Sequence, residues 1–240
     1  MSKYIENLVL LPGLNNTKEM WDKVVEQLPN SVNCYPITVP AIADMDELAE
    51  EVLKGLPEKF HLAGFSFGGF LALAILEKAP ERVTGLALIG TSADGESEVA
   101  RENRKKSIAK AQSGEYKEMV AANAHRTFHP SNADNVELKK IREKMVEDYG
   151  AERFVAHATA TMNRPDRNHL LVTNDIPYLF VGGKDDLVVP ATKVKKMLEK
   201  VPTAQYEEIE NTGHLIPLEE PENLVSKMLP WLKNKVILNN

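Results

Sequence analysis

The sequence predicts an α/β protein of about six parallel strands flanked by helices, with a helical cap inserted after the fourth strand. Short apolar runs alternate with helical stretches through residues 7–90, and the alternation resumes at residue 176. This alternation is typical of a parallel sheet that is covered on both faces. Between these two parts, residues 91–174 separate the strands, and from residue 97 to about 162 the sequence has helical patterns but no strand-like run. A stretch of that length is too long for a loop in a compact domain, so it indicates a helical insertion.

Composition narrows the classes of protein to consider. Of the 240 residues, 43% are hydrophobic and 27% are charged, which is typical of a globular domain with a sizeable core. The formal net charge of −6 argues against nucleic acid or an anionic membrane as the main partner. Cys34 is the only cysteine, so an internal disulfide is excluded. No apolar run approaches the roughly 18 residues of a membrane span, and the first six residues do not resemble a signal peptide, so we expect a cytoplasmic protein.

The elements before the insertion follow one another in regular order. Thr17 is the predicted N-cap of the first helix, and Asp44 or Asp46 begins the second. Pro36 lies in the second strand, and because proline has no N–H to donate, we expect that strand at an edge of the sheet. Strands are predicted over residues 7–11, 32–37, 60–65 and 83–89, and helices over about residues 17–28, 44–55 and 66–79.

The insertion is predicted to contain about four helices, separated at Gly114, at the turn of residues 129–132 and at Gly150. We therefore assign residues 1–90 and 175–240 to the core and residues 91–174 to the cap. After the cap the core is predicted to continue with a strand at 176–181, a helix at 191–200, a strand at 205–209 and a last amphipathic helix around Leu224 to Trp231.

Ser66 is the first candidate catalytic residue. It lies at the centre of Gly64-Phe65-Ser66-Phe67-Gly68, where the third strand is followed by a helix. Glycines at this spacing allow neighbouring backbone segments to approach closely, and the N-terminus of the helix offers free N–H groups and a partial positive charge. A serine in this position is favoured as a nucleophile. The alternative is a helix start whose small residues only pack closely against a strand.

A serine nucleophile needs a general base and a group that orients the base. Polar stretches follow the fifth and sixth strands, at residues 182–186 and 211–214. Because ligands of parallel α/β sheets bind at the carboxyl ends of the strands, we expect His214 and a nearby acid, Asp185 or Asp186, close to Ser66. The chain order of serine, acid and histidine is the one described for hydrolases with this type of turn.

With these residues in view, the sequence resembles the α/β-hydrolase superfamily, in its cap-bearing esterase and haloperoxidase-like branch. The resemblance lies in residues 11–14, 64–69, 183–190 and 213–222, and it extends over nearly the whole chain apart from the insertion. Two features differ from the family pattern. Pro12 precedes Gly13 where the family usually has histidine, and there is no room before residue 7 for two additional strands.

The resemblance implies roles for individual residues. It implies Ser66 as the nucleophile, His214 as the general base and then acid, and Asp186 as the orienting carboxylate. A glycine three residues before Asp186 and a proline four residues after it match the family spacing. The resemblance further implies an oxyanion hole formed by the backbone N–H groups of Leu14 and Phe67, and it implies no metal and no organic cofactor.

Other titratable residues have alternative interpretations. Asp94 follows the fourth strand and is a second candidate for the acid, since some relatives place it there. His125 and His129 are four residues apart and could face a metal together, but no acidic residue between them completes a zincin pattern, so we predict no metal site. We interpret His61 and His157 as packing or surface residues.

The predicted function is that of a serine hydrolase that cleaves a carboxylic ester through an acyl-enzyme intermediate. Apolar residues of the insertion suggest a small to medium, mostly apolar substrate group; they are Met119, Phe128, Phe154 and Met162. The alternatives with the same three residues are a carbon–carbon bond hydrolase, a perhydrolase or a lyase. An alternative from another class is a ligand-binding signalling protein with slow turnover. The expected partner is a small-molecule ester, and we expect a monomer or homodimer.

Overall fold

The fold is built on one sheet of six parallel strands. The computed structural model describes residues 6–233, so residues 1–5 and 234–240 of the predicted core lie outside the described part. The strand order is β2-β1-β3-β4-β5-β6, and every neighbouring pair is parallel. The predicted sheet is confirmed, and β2, which contains Pro36, lies at one edge. The strands are β1 Glu6–Leu11, β2 Val32–Pro36, β3 Phe60–Phe65, β4 Val83–Ile89, β5 Tyr178–Gly183 and β6 Gln205–Ile209.

Helices cover both faces of the sheet. Those of the core are α1 Asp22–Gln27, α2 Met45–Leu53, α3 Phe67–Lys78, α8 Ala191–Lys200, α9 Ile216–Glu219 and α10 Pro221–Lys233. Those of the insertion are α4 Glu98–Gln112, α5 Tyr116–Ala122, α6 Val136–Asn163 and α7 Asn168–Thr173. Short 3₁₀ helices occur at Lys18–Trp21, Pro80–Arg82, Ala124–Arg126 and Pro130–Asn132.

The apolar strands reflect burial on both sides. In β1, Val9 and Leu11 join a cluster with residues of α2, α3 and α8. Leu8 and Leu10 point to the opposite face and join a cluster with residues of α1 and α10, including Trp231. Because successive side chains of a strand point to opposite faces, a strand covered on both faces must be apolar at nearly every position.

The first helical segment differs from its prediction. Thr17 has extended backbone and its side chain makes no capping hydrogen bond. A 3₁₀ helix precedes the short helix α1, where a single helix over residues 17–28 was expected. Met20 and Trp21 are fully buried, so tertiary packing sets the course of the chain here. Asp44 does cap α2, because its carboxylate accepts the N–H groups of the two residues after Met45.

The insertion between β4 and β5 is helical, as predicted. Gly150 interrupts α6 with a φ of 75°, a conformation that glycine adopts without strain. A buried carboxylate fastens the cap at its connection to the core: Glu96 pairs with Arg104 at 3.1 Å and is hydrogen bonded to Arg164. The cap also has a small apolar cluster of its own, formed by Ala111, Tyr116, Val120, Val146, Tyr149, Phe154 and Ala158.

Candidate active site

Ser66 occupies a tight turn between β3 and α3. Its φ is 52° and its ψ is −115°, a strained conformation for a residue with a side chain. The turn needs glycine on both sides, because a Cβ on Gly64 would lie 2.3 Å from the Gly68 carbonyl oxygen, and a Cβ on Gly68 would lie 2.4 Å from that of Leu11. The Thr91 hydroxyl donates to the Ser66 carbonyl at 2.9 Å. The strained turn is thereby fixed, with Ser66 half-buried at the carboxyl end of β3.

Ser66, His214 and Asp186 form one chain of hydrogen bonds. Nε2 of His214 is 3.0 Å from Ser66 Oγ, and its Nδ1 is 2.7 Å from Asp186 Oδ2. Because a carboxylate only accepts, Nδ1 carries the proton and Nε2 presents its lone pair to the serine hydroxyl. The imidazole packs against Phe65, with ring centroids 5.0 Å apart.

Asp186 is held in position by the backbone of its own loop. Its Oδ1 accepts the N–H groups of Val188 at 2.7 Å and Val189 at 2.8 Å. Its side chain is 0% exposed. A buried carboxylate costs free energy unless hydrogen bonds compensate it. Here Oδ1 accepts from the loop backbone, and Oδ2 accepts from His214.

The two alternative acids lie elsewhere. The Asp185 side chain is 45% exposed and lies 3.6 Å from Nε2 of His129. Asp94 accepts a hydrogen bond from the Asn168 amide at 3.0 Å. Asp186 is therefore the acid that the structure brings to His214.

The resemblance implies Leu14 and Phe67 for the oxyanion hole; Leu14 lies in the loop after β1, and Phe67 directly follows Ser66. Phe67 is the first residue of α3, so the helix provides its N–H with no intrahelical acceptor. Leu14 lies in the loop after β1, where its carbonyl accepts the Asn16 amide at 2.8 Å. This loop is also fastened to the cap, since the Tyr116 hydroxyl donates to Asn15 Oδ1 at 3.1 Å.

His157 is a packing residue, one of the two interpretations that we gave it. It is fully buried, and its ring stacks on Phe67 with centroids 4.6 Å apart. Its Nε2–H donates to the Pro40 carbonyl at 2.7 Å, so Nδ1 accepts the Tyr149 hydroxyl at 2.5 Å. Burial lowers the pKa of His157 to about 4, which keeps the ring neutral. Sequence carries no signal for this contact, because Pro40 and His157 are far apart along the chain.

The remaining candidates contribute to packing or to local turns. Phe128 joins the core cluster on the α10 side, and Phe154 joins the cluster within the cap. Nδ1 of His125 lies 3.1 Å from the Ala122 carbonyl, and Nδ1 of His129 lies 2.7 Å from the Ser131 hydroxyl. Among residues 6–233, no cluster of three or more potential metal ligands occurs. Over the same range, the helices are either too short or too polar to cross a bilayer.

Hydrolases with an α/β fold typically have a serine on a strand-to-helix turn of a parallel sheet, hydrogen bonded to a histidine. The chain belongs to the alpha/beta hydrolase family, which it matches over residues 8–227.

Individual relatives differ in the length they share with this chain. The dihydrolipoyllysine-residue acetyltransferase component of the acetoin cleaving system of Pseudomonas putida is 31% identical over 208 residues, which are 79% of this chain and 51% of that protein. The chain thus spans about half the length of that relative. A pimeloyl-[acyl-carrier protein] methyl ester esterase of Aeromonas hydrophila subsp. hydrophila is 23% identical over 91% of this chain and 92% of that protein. Among solved structures, a thermophilic esterase from Thermogutta terrifontis has a TM-score of 0.86 and 27% identity, covering 95% of this chain and 89% of that chain.

Proposed function

We propose that this protein is a serine hydrolase that cleaves a carboxylic ester through an acyl-enzyme intermediate. The observation that carries the proposal is the chain of hydrogen bonds from Ser66 through His214 to Asp186. Esterases among its relatives support the reaction class. We further propose that residues 1–90 and 175–240 form the catalytic core and residues 91–174 the cap that covers it.

Acylation begins with attack of Ser66 Oγ on the ester carbonyl carbon. His214 Nε2 takes the hydroxyl proton, and Asp186 stabilises the imidazolium that forms. The backbone N–H groups of Leu14 and Phe67 donate to the oxyanion of the tetrahedral intermediate, and one such donor is worth about 10²–10³ in rate. His214 then gives its proton to the departing alkoxide, which leaves as the alcohol while the acyl group stays on Oγ.

Deacylation repeats the same steps with water. His214 removes a proton from the water as its oxygen attacks the acyl carbonyl, and the same two N–H groups hold the second oxyanion. The proton then returns from Nε2 to Ser66 Oγ, which releases the carboxylic acid. None of these steps calls for a metal or an organic cofactor.

We infer a small to medium, mostly apolar substrate group. Leu14, which carries one of the proposed oxyanion donors, packs against apolar clusters of both the core and the cap. A substrate carbonyl held there has aliphatic and aromatic side chains for neighbours. The working form that we propose is a cytoplasmic monomer or homodimer.

The test is hydrolysis of p-nitrophenyl esters of increasing chain length. We expect turnover by the wild type, loss of turnover in Ser66→Ala, and covalent labelling of Ser66 by a fluorophosphonate. Ser113→Ala is the matched control, because this serine is exposed on the cap, and it should retain wild-type rates. A wild-type protein without turnover and without labelling would contradict the proposal and favour a ligand-binding role.

A further inference from the structure

A short part of the cap contacts both loops that carry the proposed base and acid. We name residues 124–132 the bridge segment. The Arg126 guanidinium donates to the Leu187 carbonyl at 2.9 Å, next to the acid. The Thr127 carbonyl accepts the backbone N–H of His214 at 2.9 Å and that of the following residue at 3.1 Å. The position of the histidine therefore depends on the position of the bridge segment.

Glu219, which the proposed mechanism does not use, fastens the bridge segment from the opposite side. Its Oε2 accepts the backbone N–H of His129 at 2.7 Å and the side-chain amide of Asn132 at 2.9 Å. Its Oε1 is buried and faces Gly213, where a Cβ would lie 3.0 Å away. One carboxylate thus lies between the bridge segment and the residue that immediately precedes His214.

The partners of Glu219 are unusual for a buried acid, because they are mainly uncharged N–H groups. Burial raises the pKa of the Glu219 carboxyl above its ordinary value, against the opposing effect of the hydrogen bonds from the Asn132 side chain and the backbone N–H of His129. Burial of the charged carboxylate costs free energy, and the hydrogen bonds from His129 and Asn132 offset that cost and fix the position of the side chain. Loss of the carboxylate would leave the donors of the bridge segment without their acceptor.

We propose that Glu219 is a positioning residue for His214. By holding the bridge segment against residues 213–215, it keeps Nε2 within 3.0 Å of Ser66 Oγ. The inference rests on the proposed ester hydrolysis. Reacting groups tolerate little displacement, since a misplacement of about 1 Å can cost roughly 10²-fold in rate.

The test compares Glu219→Gln with Glu219→Leu. Glutamine keeps one carbonyl oxygen that can accept from the bridge segment, whereas leucine keeps only the volume. We expect kcat for p-nitrophenyl butyrate to fall about 10-fold in the glutamine variant and about 100-fold in the leucine variant. KM should change much less than kcat. Rates are counted per active site by end-point titration with a fluorophosphonate, so that a smaller folded fraction does not lower the apparent kcat.

Glu96→Gln is the matched control. Glu96 is also a buried carboxylate that fastens the cap, but its partners are Arg104 and Arg164, which lie outside the bridge segment. We expect a lower melting temperature and an unchanged kcat per titrated site. A merely structural role of Glu219 would produce this same pattern, so a kcat within twofold of wild type in both Glu219 variants would overturn the proposal.

Asn132→Ala provides a second route if a Glu219 variant does not fold. It removes one donor to the carboxylate at a half-buried position. We expect a kcat reduced about threefold, less than in the Glu219 variants, because the carboxylate still accepts the backbone N–H of His129. Its effect should not add to that of Glu219→Gln, since both act on one contact. Fully additive effects, or an unchanged kcat in Asn132→Ala alone, would contradict the proposal. Turnover retained by Ser66→Ala would instead refute the ester hydrolysis mechanism.

Discussion

Replacing Asp186 with asparagine tests the assignment of the acid most directly. Oδ1 accepts two backbone N–H groups, from Val188 and Val189. An asparagine side chain that preserves these two bonds must turn its NH₂ group towards His214. Two donors cannot face each other, so Nδ1 would lose its proton and Nε2 would carry it. The histidine would then present an N–H to Ser66 where the mechanism needs a lone pair.

The expected cost follows from that change of tautomer. Other triads lose about 10⁴ in kcat on the same substitution, which corresponds to about 5.4 kcal/mol of transition-state stabilisation at 1.36 kcal/mol per decade. The assay is p-nitrophenyl butyrate hydrolysis at pH 7.5, with sites counted by fluorophosphonate titration. KM should be nearly unchanged, because the substitution does not alter the surface that binds substrate.

Two matched substitutions make the result decisive. Asp185→Asn changes the adjacent, half-exposed acid, and Asp94→Asn changes the acid that is bonded to Asn168. Both should keep kcat within about threefold of wild type. The reasoning is refuted if Asp186→Asn stays within tenfold of wild type, or if either control loses about 10³.

Two further predictions concern stability. Gly68→Ala should lower the melting temperature strongly, because its Cβ would lie 2.4 Å from the Leu11 carbonyl oxygen and such overpacking costs about 1–3 kcal/mol or more. Gly55→Ala is the control, since the nearest contact of its Cβ would be at 4.0 Å. Equal melting temperatures of the two variants would contradict this account. The urea midpoint should fall between pH 7 and pH 4, because burial lowers the pKa of both His61 and His157 to about 4. The unfolded chain binds these protons from about pH 6.5 downwards, so stability is lost as pH falls through this window. His157→Phe should flatten the dependence, and an unchanged slope would show that the histidine does not titrate as described.

Local sequence signals were sufficient for the sheet, for Ser66 and for His214, whereas the choice of Asp186 over Asp185 came from the family resemblance. The apolar runs of β3 and β4 are long because both faces are covered, and this leaves a clear pattern in the sequence. Ser66, Asp186 and His214 each follow a strand, and all strands are parallel, so their convergence at one edge of the sheet could be anticipated. Pro36 likewise predicted an edge strand, because proline has no backbone N–H to donate to a neighbouring strand.

Contacts between distant residues left no such signal. Nothing near Thr17 indicates that the chain forms a 3₁₀ turn and a short α1 here in place of the predicted single helix. The sequence around Glu219 gives no sign that this acid has partners elsewhere in the chain. Its donors, His129 and Asn132, belong to the cap. Such pairings depend on how the insertion packs against the sheet, and the periodicity of hydrophobic residues carries no information about that packing.

The contacts of residues 124–132 have a consequence for protein engineering. A chimera that exchanges the whole insertion for that of another hydrolase would replace the segment that places the Thr127 carbonyl against the backbone N–H of His214. Grafts that retain this stretch and replace only α4, α5 or the distal part of α6 keep that attachment. Breakpoints at Gly114 for an exchange of α4, and at Gly150 for an exchange of the second part of α6, lie where the chain already turns with positive φ. A single exchange between these two glycines would replace residues 124–132.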